Sequence, residues 1–283
     1  MYVNNQICLY RFCINKDIER RFIMSEEKEI LYEKKGPIAI ITLNRPLKYN
    51  AMNDKLYAQL YEAVKDYIAD DNLLCAIVTG AGGNFSSGGD LKWFQAEREK
   101  HGEEWEPDFP AYKLMQKCSK PIIAAVDGYC IASGFNLAVL YCDFVIATER
   151  AKFGIPAIKR ALRVPYPIPF PQHMSLGNAL YMVMTGKMLS AEEALRMGIV
   201  SEVVPVEKLM ERVMELATII SECAPKHLAA HKKFLRAVAE MPGSGQQLID
   251  IIMEPLNAPE NLKLSKEGRE AFLEKREAIY KGK

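Results

Sequence analysis

From Ile30 onward the chain falls into regular runs of apolar and polar positions. Ile30 to Lys34, a Lys35-Gly36-Pro37 turn, and Ile38-Ala39-Ile40-Ile41-Thr42-Leu43 predict a hairpin whose second strand is buried on both faces. Asn53 or Asp54 can cap a helix in which Leu56, Leu60, Val64 and Ile68 recur every four residues along one face. Short apolar runs at Cys75 to Thr79, Ile122 to Val126 and Phe144 to Ala147, each ended by Gly, Asp or a charged residue, predict further strands. Helical periods then take over: Asn178 to Thr185, Ala191 to Met197, Val206 to Cys223 and Lys226 to Ala239. A mixed first part followed by a helical last part predicts an α/β core with a C-terminal helical region.

The first 23 residues break this pattern. Arg11, Arg20 and Arg21 are mixed with Asp17 and Glu19, and neither a clean apolar stretch nor a small-residue cleavage site is present, so the segment does not read as a secretory signal. It reads as an unstructured extension, with Met24 expected as the true start. The expected organisation is therefore a disordered leader over 1–24, a core over 25–206 and a helical region over 207–283.

Composition narrows the function classes. The 283 residues carry 37 Lys and Arg against 36 Asp and Glu, a net charge of +1. This balance argues against nucleic acid as the main partner, because phosphate binding relies on uncompensated basic clusters. No stretch of about 18 uncharged apolar residues is present, so no membrane partner is expected. Seven cysteines at 8, 13, 75, 118, 130, 142 and 223 have no paired spacing and sit mostly among apolar neighbours. That suits reduced thiols in a cytoplasmic setting. Four histidines lack ligand spacing with them, so no metal site is expected.

Two glycine-containing turns stand out as candidate chemistry: Ala81 to Lys92, containing Gly82, Gly83, Gly88 and Gly89, and Asp127 to Ala138, containing Gly128 and Gly134. Each follows an apolar strand and leads into a helical pattern. Backbone N–H groups at such helix starts point outward without partners and can hold an anion. A pair of donors from separate turns can form an oxyanion hole.

At these residues the chain resembles the crotonase, or enoyl-CoA hydratase/isomerase, superfamily. The resemblance is carried by Ile41-Thr42-Leu43-Asn44-Arg45-Pro46 with Tyr49-Asn50-Ala51-Met52, by Phe85 to Leu91, and by Lys120 to Tyr129. It continues through Ala147 to Gly154, Thr185-Gly186, Ala194 to Val200 and the tail Glu267 to Arg276. It implies a spiral of ββα turns, a homotrimer or dimer of trimers built on the helices, and an acyl-CoA thioester as ligand, with no cofactor beyond the coenzyme A moiety of the substrate. Carried over by position, the oxyanion donors are the N–H groups of Gly89 and Ser133, with Ser133 replacing the glycine usual there. Ser87 lies in the segment expected to wall the adenine. Lys92, Lys48 and Lys275 are the candidates for the CoA phosphates, where lysine serves as a mobile point charge.

The departures from the resemblance are equally specific. It implies two glutamates that hold water and exchange protons, and those positions here are Asn136 and Ala157. Asn cannot accept a proton and Ala has no polar group, so paired-carboxylate water addition is not available at these places. The following segment, Val164 to His173, holds prolines at 165, 167, 169 and 171, which forbid regular helix and predict a stiff extended wall. Tyr166, Ile168 and Phe170 could share one face of it, which suggests a bulky or cyclic acyl group. Val164-Pro165-Tyr166 also looks like a segment of methylmalonyl-CoA decarboxylases of the same superfamily. Three readings follow. The first is a hydratase/isomerase-type acyl-CoA lyase in which Asn136, Tyr166 or His173 replaces the glutamates. The second is a malonyl-type decarboxylase or thioester hydrolase, and the third a CoA-ester-binding protein with little turnover.

Overall fold

The computed structural model describes residues 28–102, 105, 107–160 and 173–240, together with Glu267, Ala271, Glu274, Arg276 and Ile279. The leader 1–24, the proline segment up to residue 172, Tyr166 and Lys275 lie outside the described residues.

Strands β1 (Ile30–Lys35) and β2 (Ile38–Leu43) form the predicted antiparallel hairpin, turning at Gly36 with φ +56°. Asn53 then caps helix α1 (Asp54–Ala69), its side chain accepting from the Leu56 N–H. Strand β3 (Cys75–Gly80) lies parallel to β2. After helices α2 (Leu91–His101) and α3 (Pro110–Lys117), strand β4 (Ile122–Val126) pairs parallel to β3. Strand β5 (Tyr129–Ile131) leads into helix α4, which opens at Ser133–Phe135 and continues as a wider-wound segment, Asn136–Tyr141. The chain continues through β6 (Phe144–Thr148), β7 (Lys152–Gly154), helix α5 (Leu176–Thr185), β8 (Leu189–Ser190), helix α6 (Ala191–Arg196) and β9 (Glu202–Val204). It ends its regular described part in helices α7 (Leu209–Ser221) and α8 (Pro225–Glu240).

Six strands make one sheet in the order β1-β2-β3-β4-β6-β9, parallel from β2 onward, and β5-β7-β8 make a second, smaller sheet. The near-continuous apolar character of β2, β3 and β4 now has its cause. In strands, alternate residues face opposite sides, and both sides of this sheet are covered. Ile38, Ile40, Cys75, Ile77, Ile123, Ala125 and Ile146 pack beneath Leu209, Val213 and Ala217 of α7. Ala39, Ile41, Ala76, Val78, Ala124 and Val126 face the larger core, with Leu56, Leu60 and Val64 of α1 and Tyr112 and Met115 of α3. Cys75, Cys118, Cys130 and Cys142 are buried in these layers, and burial raises the pKa of each thiol, that of Cys75 to about 12.

Helix α8 is tied to the sheet by charge. Asp143 accepts from the Ile122 N–H at 2.7 Å, Lys232 Nζ at 2.7 Å and an Arg236 guanidinium N–H at 2.8 Å. His173 lies within the field of Arg236, and burial, reinforced by that charge, holds its pKa below the ordinary 6.5. The unfolded chain therefore takes up the proton more readily than the folded one. The stability that neutral His173 contributes is complete above the unfolded value and is lost as pH falls through the lower folded value. Thermal unfolding between about pH 7 and pH 5 should show Tm falling as the solution is acidified, and His173→Gln should flatten that slope. An unchanged slope would remove His173 as its source.

Candidate active site

Strands β3 and β4 are parallel neighbours, so the two glycine turns leave the sheet side by side at its carboxyl edge, where open α/β sheets bind ligands. The turns are stitched together by backbone. Phe85 N donates to Asp127 O at 2.7 Å, Ser86 N to Tyr129 O at 2.7 Å, and Ile131 N to Ser86 O at 2.9 Å. On the other side, Met52 N donates to Gly88 O at 2.8 Å and Asp90 N to Met52 O at 2.9 Å. In such a parallel bridge the two bonds to Met52 flank Gly89, so the N–H of Gly89 itself points away from Met52.

Gly88 brings the turns into contact. Its φ is +101°, and a Cβ built on it would lie 2.9 Å from Ile131 O and 3.5 Å from Ser133 N. Before Ser133, Ala132 adopts φ 49° and ψ −113°, a conformation that L residues with side chains rarely hold. It is fixed from both sides: Ala132 N donates to Gly154 O at 2.9 Å, and the Tyr112 hydroxyl donates to Ser133 O at 3.1 Å. Among the described residues neither the Gly89 nor the Ser133 N–H donates a hydrogen bond. Two such donors from neighbouring turns can bind one negatively charged oxygen.

The motif around Asn50 supports this arrangement from below. Asn50 is fully buried at φ 54°; its amide donates to Ala81 O and Asn84 O, its Oδ1 accepts from Arg45 N, and its carbonyl accepts from Ser86 Oγ. Ser86 Oγ in turn accepts from Gly88 N at 3.1 Å. Arg45 reaches Asp90, the N-cap of α2, at 3.1 Å.

Of the remaining residues singled out in the sequence, Asn136 is 4% exposed on α4, three residues from Ser133 and therefore on the same helical face, and its Oδ1 has no partner among the described residues. Ala157 is partly buried against the main core. Lys48 and Ser87 come together, because Ser87 N donates to the carbonyl of Tyr49, the neighbour of Lys48. Lys92 is exposed in the first turn of α2, and its own N–H donates to Asp90 Oδ1.

An aromatic wall beside the turns was not anticipated from the sequence. Phe94 lies so close to Gly89 that a Cβ there would be 2.2 Å from its ring. Trp93, Trp105, Tyr57, Phe109, Tyr112 and Tyr141 continue the wall, with Tyr57 and Phe109 4.5 Å apart and Tyr112 stacked on Tyr141 at 4.3 Å between centroids. The Tyr57 hydroxyl makes no hydrogen bond of good geometry, although Ser133 and Tyr112 lie near it. Burial outweighs their influence and raises its pKa to about 12. The Trp93-Phe94 pair just beyond Gly89 was the signal available in the sequence.

This mainly parallel sheet with paired glycine turns at its carboxyl edge matches solved enoyl-CoA hydratase structures over nine-tenths of the chain, which places it in the crotonase fold class. A family model described as enoyl-CoA hydratase/isomerase matches residues 33–283, and the chain belongs to that family. Among curated relatives, the carnitinyl-CoA dehydratase of Salmonella typhimurium is 38% identical over 257 residues, covering 88% of this chain and 97% of that protein. Among solved structures, an enoyl-CoA hydratase from Mycobacterium tuberculosis H37Rv superposes with a TM-score of 0.80 at 31% identity, covering 91% of this chain and 100% of the other. One from Bacillus anthracis does so with a TM-score of 0.81 at 28% identity, covering 90% and 100%. Among the described residues no helix is long and apolar enough to cross a membrane.

Proposed function

We propose that this protein transforms an acyl-CoA thioester by stabilising the thioester enolate between the backbone N–H groups of Gly89 and Ser133, with an acid/base set that is not the usual pair of carboxylates. The observation that carries this reading is the pair of N–H groups that donate to no described residue, on turns brought into contact at Gly88, with the second held by the unusual backbone of Ala132. A pre-formed donor pair of this kind is worth several kcal/mol to a developing oxyanion, because no reorganisation is needed during reaction. Asn136 is placed to orient water or the acyl group by hydrogen bonds, since it cannot take a proton. Tyr166 remains the proposed proton-handling group; His173 lies in the field of Arg236, which binds Asp143 at the amino-terminal end of β4, the edge of the sheet opposite the two amides. Lys48, Ser87, Lys92 and Lys275 are proposed to hold the coenzyme A moiety.

The reaction proposed is of the hydratase, dehydratase or isomerase type, and the dehydratase relatives make carnitinyl-CoA a first substrate to test, beside crotonyl-CoA. Asn136 and Ala157 also favour a second reading, decarboxylation of a malonyl-type thioester, because loss of CO₂ creates the enolate without a base. Incubation of the protein with carnitinyl-CoA, crotonyl-CoA, methylmalonyl-CoA and alicyclic CoA esters in D₂O separates the two. Water addition, water loss or deuterium at Cα supports the first reading, and CO₂ release the second. Stabilisation by CoA esters with no turnover of any of them would overturn both in favour of a binding protein.

Ala157→Glu restores a carboxylate at one of the two positions. Measurable crotonyl-CoA hydration is expected in this variant, above that of the parent, by absorbance of the enoyl thioester. No gain would point to the 164–173 segment as the incompatible element. A homotrimer or dimer of trimers is also proposed, supported by the exposed Leu176, Leu180 and Met184, which recur every four residues along α5. Sedimentation equilibrium should return three or six copies, and a monomer would refute it.

A further inference from the structure

Three buried polar atoms near the paired amides have no hydrogen-bond partner among the described residues: the Tyr57 hydroxyl, the Trp93 indole Nε1 and Asn136 Oδ1. Buried polar groups in folded proteins are nearly always paired, so three in one region call for an explanation. Tyr57 is only 5% exposed, and a phenylalanine would fill its space without burying a hydroxyl. Its ring centroid lies 5.9 Å from that of Trp93 and 5.8 Å from that of Tyr112. Tyr112 donates to Ser133 O, and Phe94, which follows Trp93, lies against the α-carbon of Gly89. The two unpartnered donors thus belong to one aromatic wall that touches both amide-bearing turns, and the unpartnered acceptor stands three residues from Ser133 on α4.

We propose that Tyr57 and Trp93 are specificity-determining donors that select an acyl group carrying a neutral oxygen, a hydroxyl or keto group, beyond the thioester carbonyl. This rests on the acyl-CoA reading above and adds what the acyl end must contain. A neutral oxygen fits because both donors are uncharged; a carboxylate buried against them would need a cation to offset its loss of water. Arg98, whose Nε is also buried without a partner among the described residues, lies one helical turn beyond Phe94 and makes a charged acyl end the competing occupant. A hydroxyl has the further property that it can accept from one donor while donating to Asn136 Oδ1.

The test is equilibrium binding by titration calorimetry of pentanoyl-CoA, 3-hydroxypentanoyl-CoA, 4-hydroxypentanoyl-CoA, 4-oxopentanoyl-CoA and succinyl-CoA to the full chain and to Tyr57→Phe and Trp93→Phe. At least one hydroxylated or keto ligand should bind about fivefold or more tightly than pentanoyl-CoA, the range expected for neutral hydrogen bonds to groups otherwise unpaired. Either variant, shown by thermal melting to be folded, should bring that preference to within about twofold by weakening the oxygenated ligand alone. No preference in the parent, a preference that survives both variants, or tightest binding of succinyl-CoA would overturn the proposal. Pentanoyl-CoA binding without discrimination would leave the acyl-CoA reading standing, whereas failure of every CoA ester to bind would overturn both.

Discussion

Replacing Ser133 by proline should cost at least about 10²-fold in kcat/KM on whichever CoA ester the protein turns over, with the fold intact. At the first position of a helix the proline ring fits and its missing donor breaks no backbone bond, so the change removes one N–H together with the serine hydroxyl, whose loss Ser133→Ala measures alone. Ser133 N is such a position: it makes no hydrogen bond to described residues, and the helix begins there. The difficulty lies one residue earlier, since residues before proline prefer extended backbone and Ala132 sits at φ 49°, ψ −113°. Ala132→Gly/Ser133→Pro relieves that strain, because glycine adopts positive φ freely. Both variants should lose activity while Ser133→Ala, which keeps the N–H, stays within about threefold of the parent, less than one neutral hydrogen bond. Thermal melting and steady-state kinetics on the three proteins check this. Full turnover by a folded Ser133→Pro would show that the amide at 133 is not the donor.

Much of the fold was readable because one face or both faces of each element are covered by the same core. The hairpin, α1 with its Asn53 cap, and β3, β4 and β6 follow from period and capping alone, and the two glycine turns from their position after strands. The three-stranded sheet was not readable in the same way. Its members are two or three residues long, too short to show a period, and β8 is defined only by pairing with β7 some forty residues away in sequence. Helix α3 went unread although Pro110 opens it and Ala111, Tyr112 and Met115 are spaced for one buried face. The candidate site divides along the same line. The readings of Gly89, Ser133 and Asn136 rest on local turns and the family resemblance. The aromatic wall, drawn from positions 57, 93, 105, 109, 112 and 141, exists only through tertiary contacts.

Asn50 links the legible motif to the site and should be the most costly of the buried polar residues there to remove. Asn50→Ala deletes three side-chain hydrogen bonds and leaves the Arg45 N–H and the carbonyls of Ala81 and Asn84 facing a space with no partner. Each loss amounts to about 1 kcal/mol. Alanine at φ 54° adds about 1 kcal/mol more, since asparagine tolerates the left-handed region better. The expected destabilisation is about 3–4 kcal/mol, a large share of the roughly 5–15 kcal/mol that holds a protein of this kind together. Activity should fall as well. The Asn50 carbonyl accepts from Ser86 Oγ, which accepts from Gly88 N, so loosening Asn50 loosens the turn that positions the Gly89 amide. Asn50→Asp discriminates the polar role from simple packing: it keeps the acceptor for Arg45 N–H but sets a carboxylate oxygen against two carbonyls, and it should be no more stable than Asn50→Ala. Urea denaturation gives the stability of each variant. A loss within about 0.5 kcal/mol for Asn50→Ala, the range of ordinary surface substitutions, would mean that the glycine turn is held by its backbone bonds to β5 and Met52 alone.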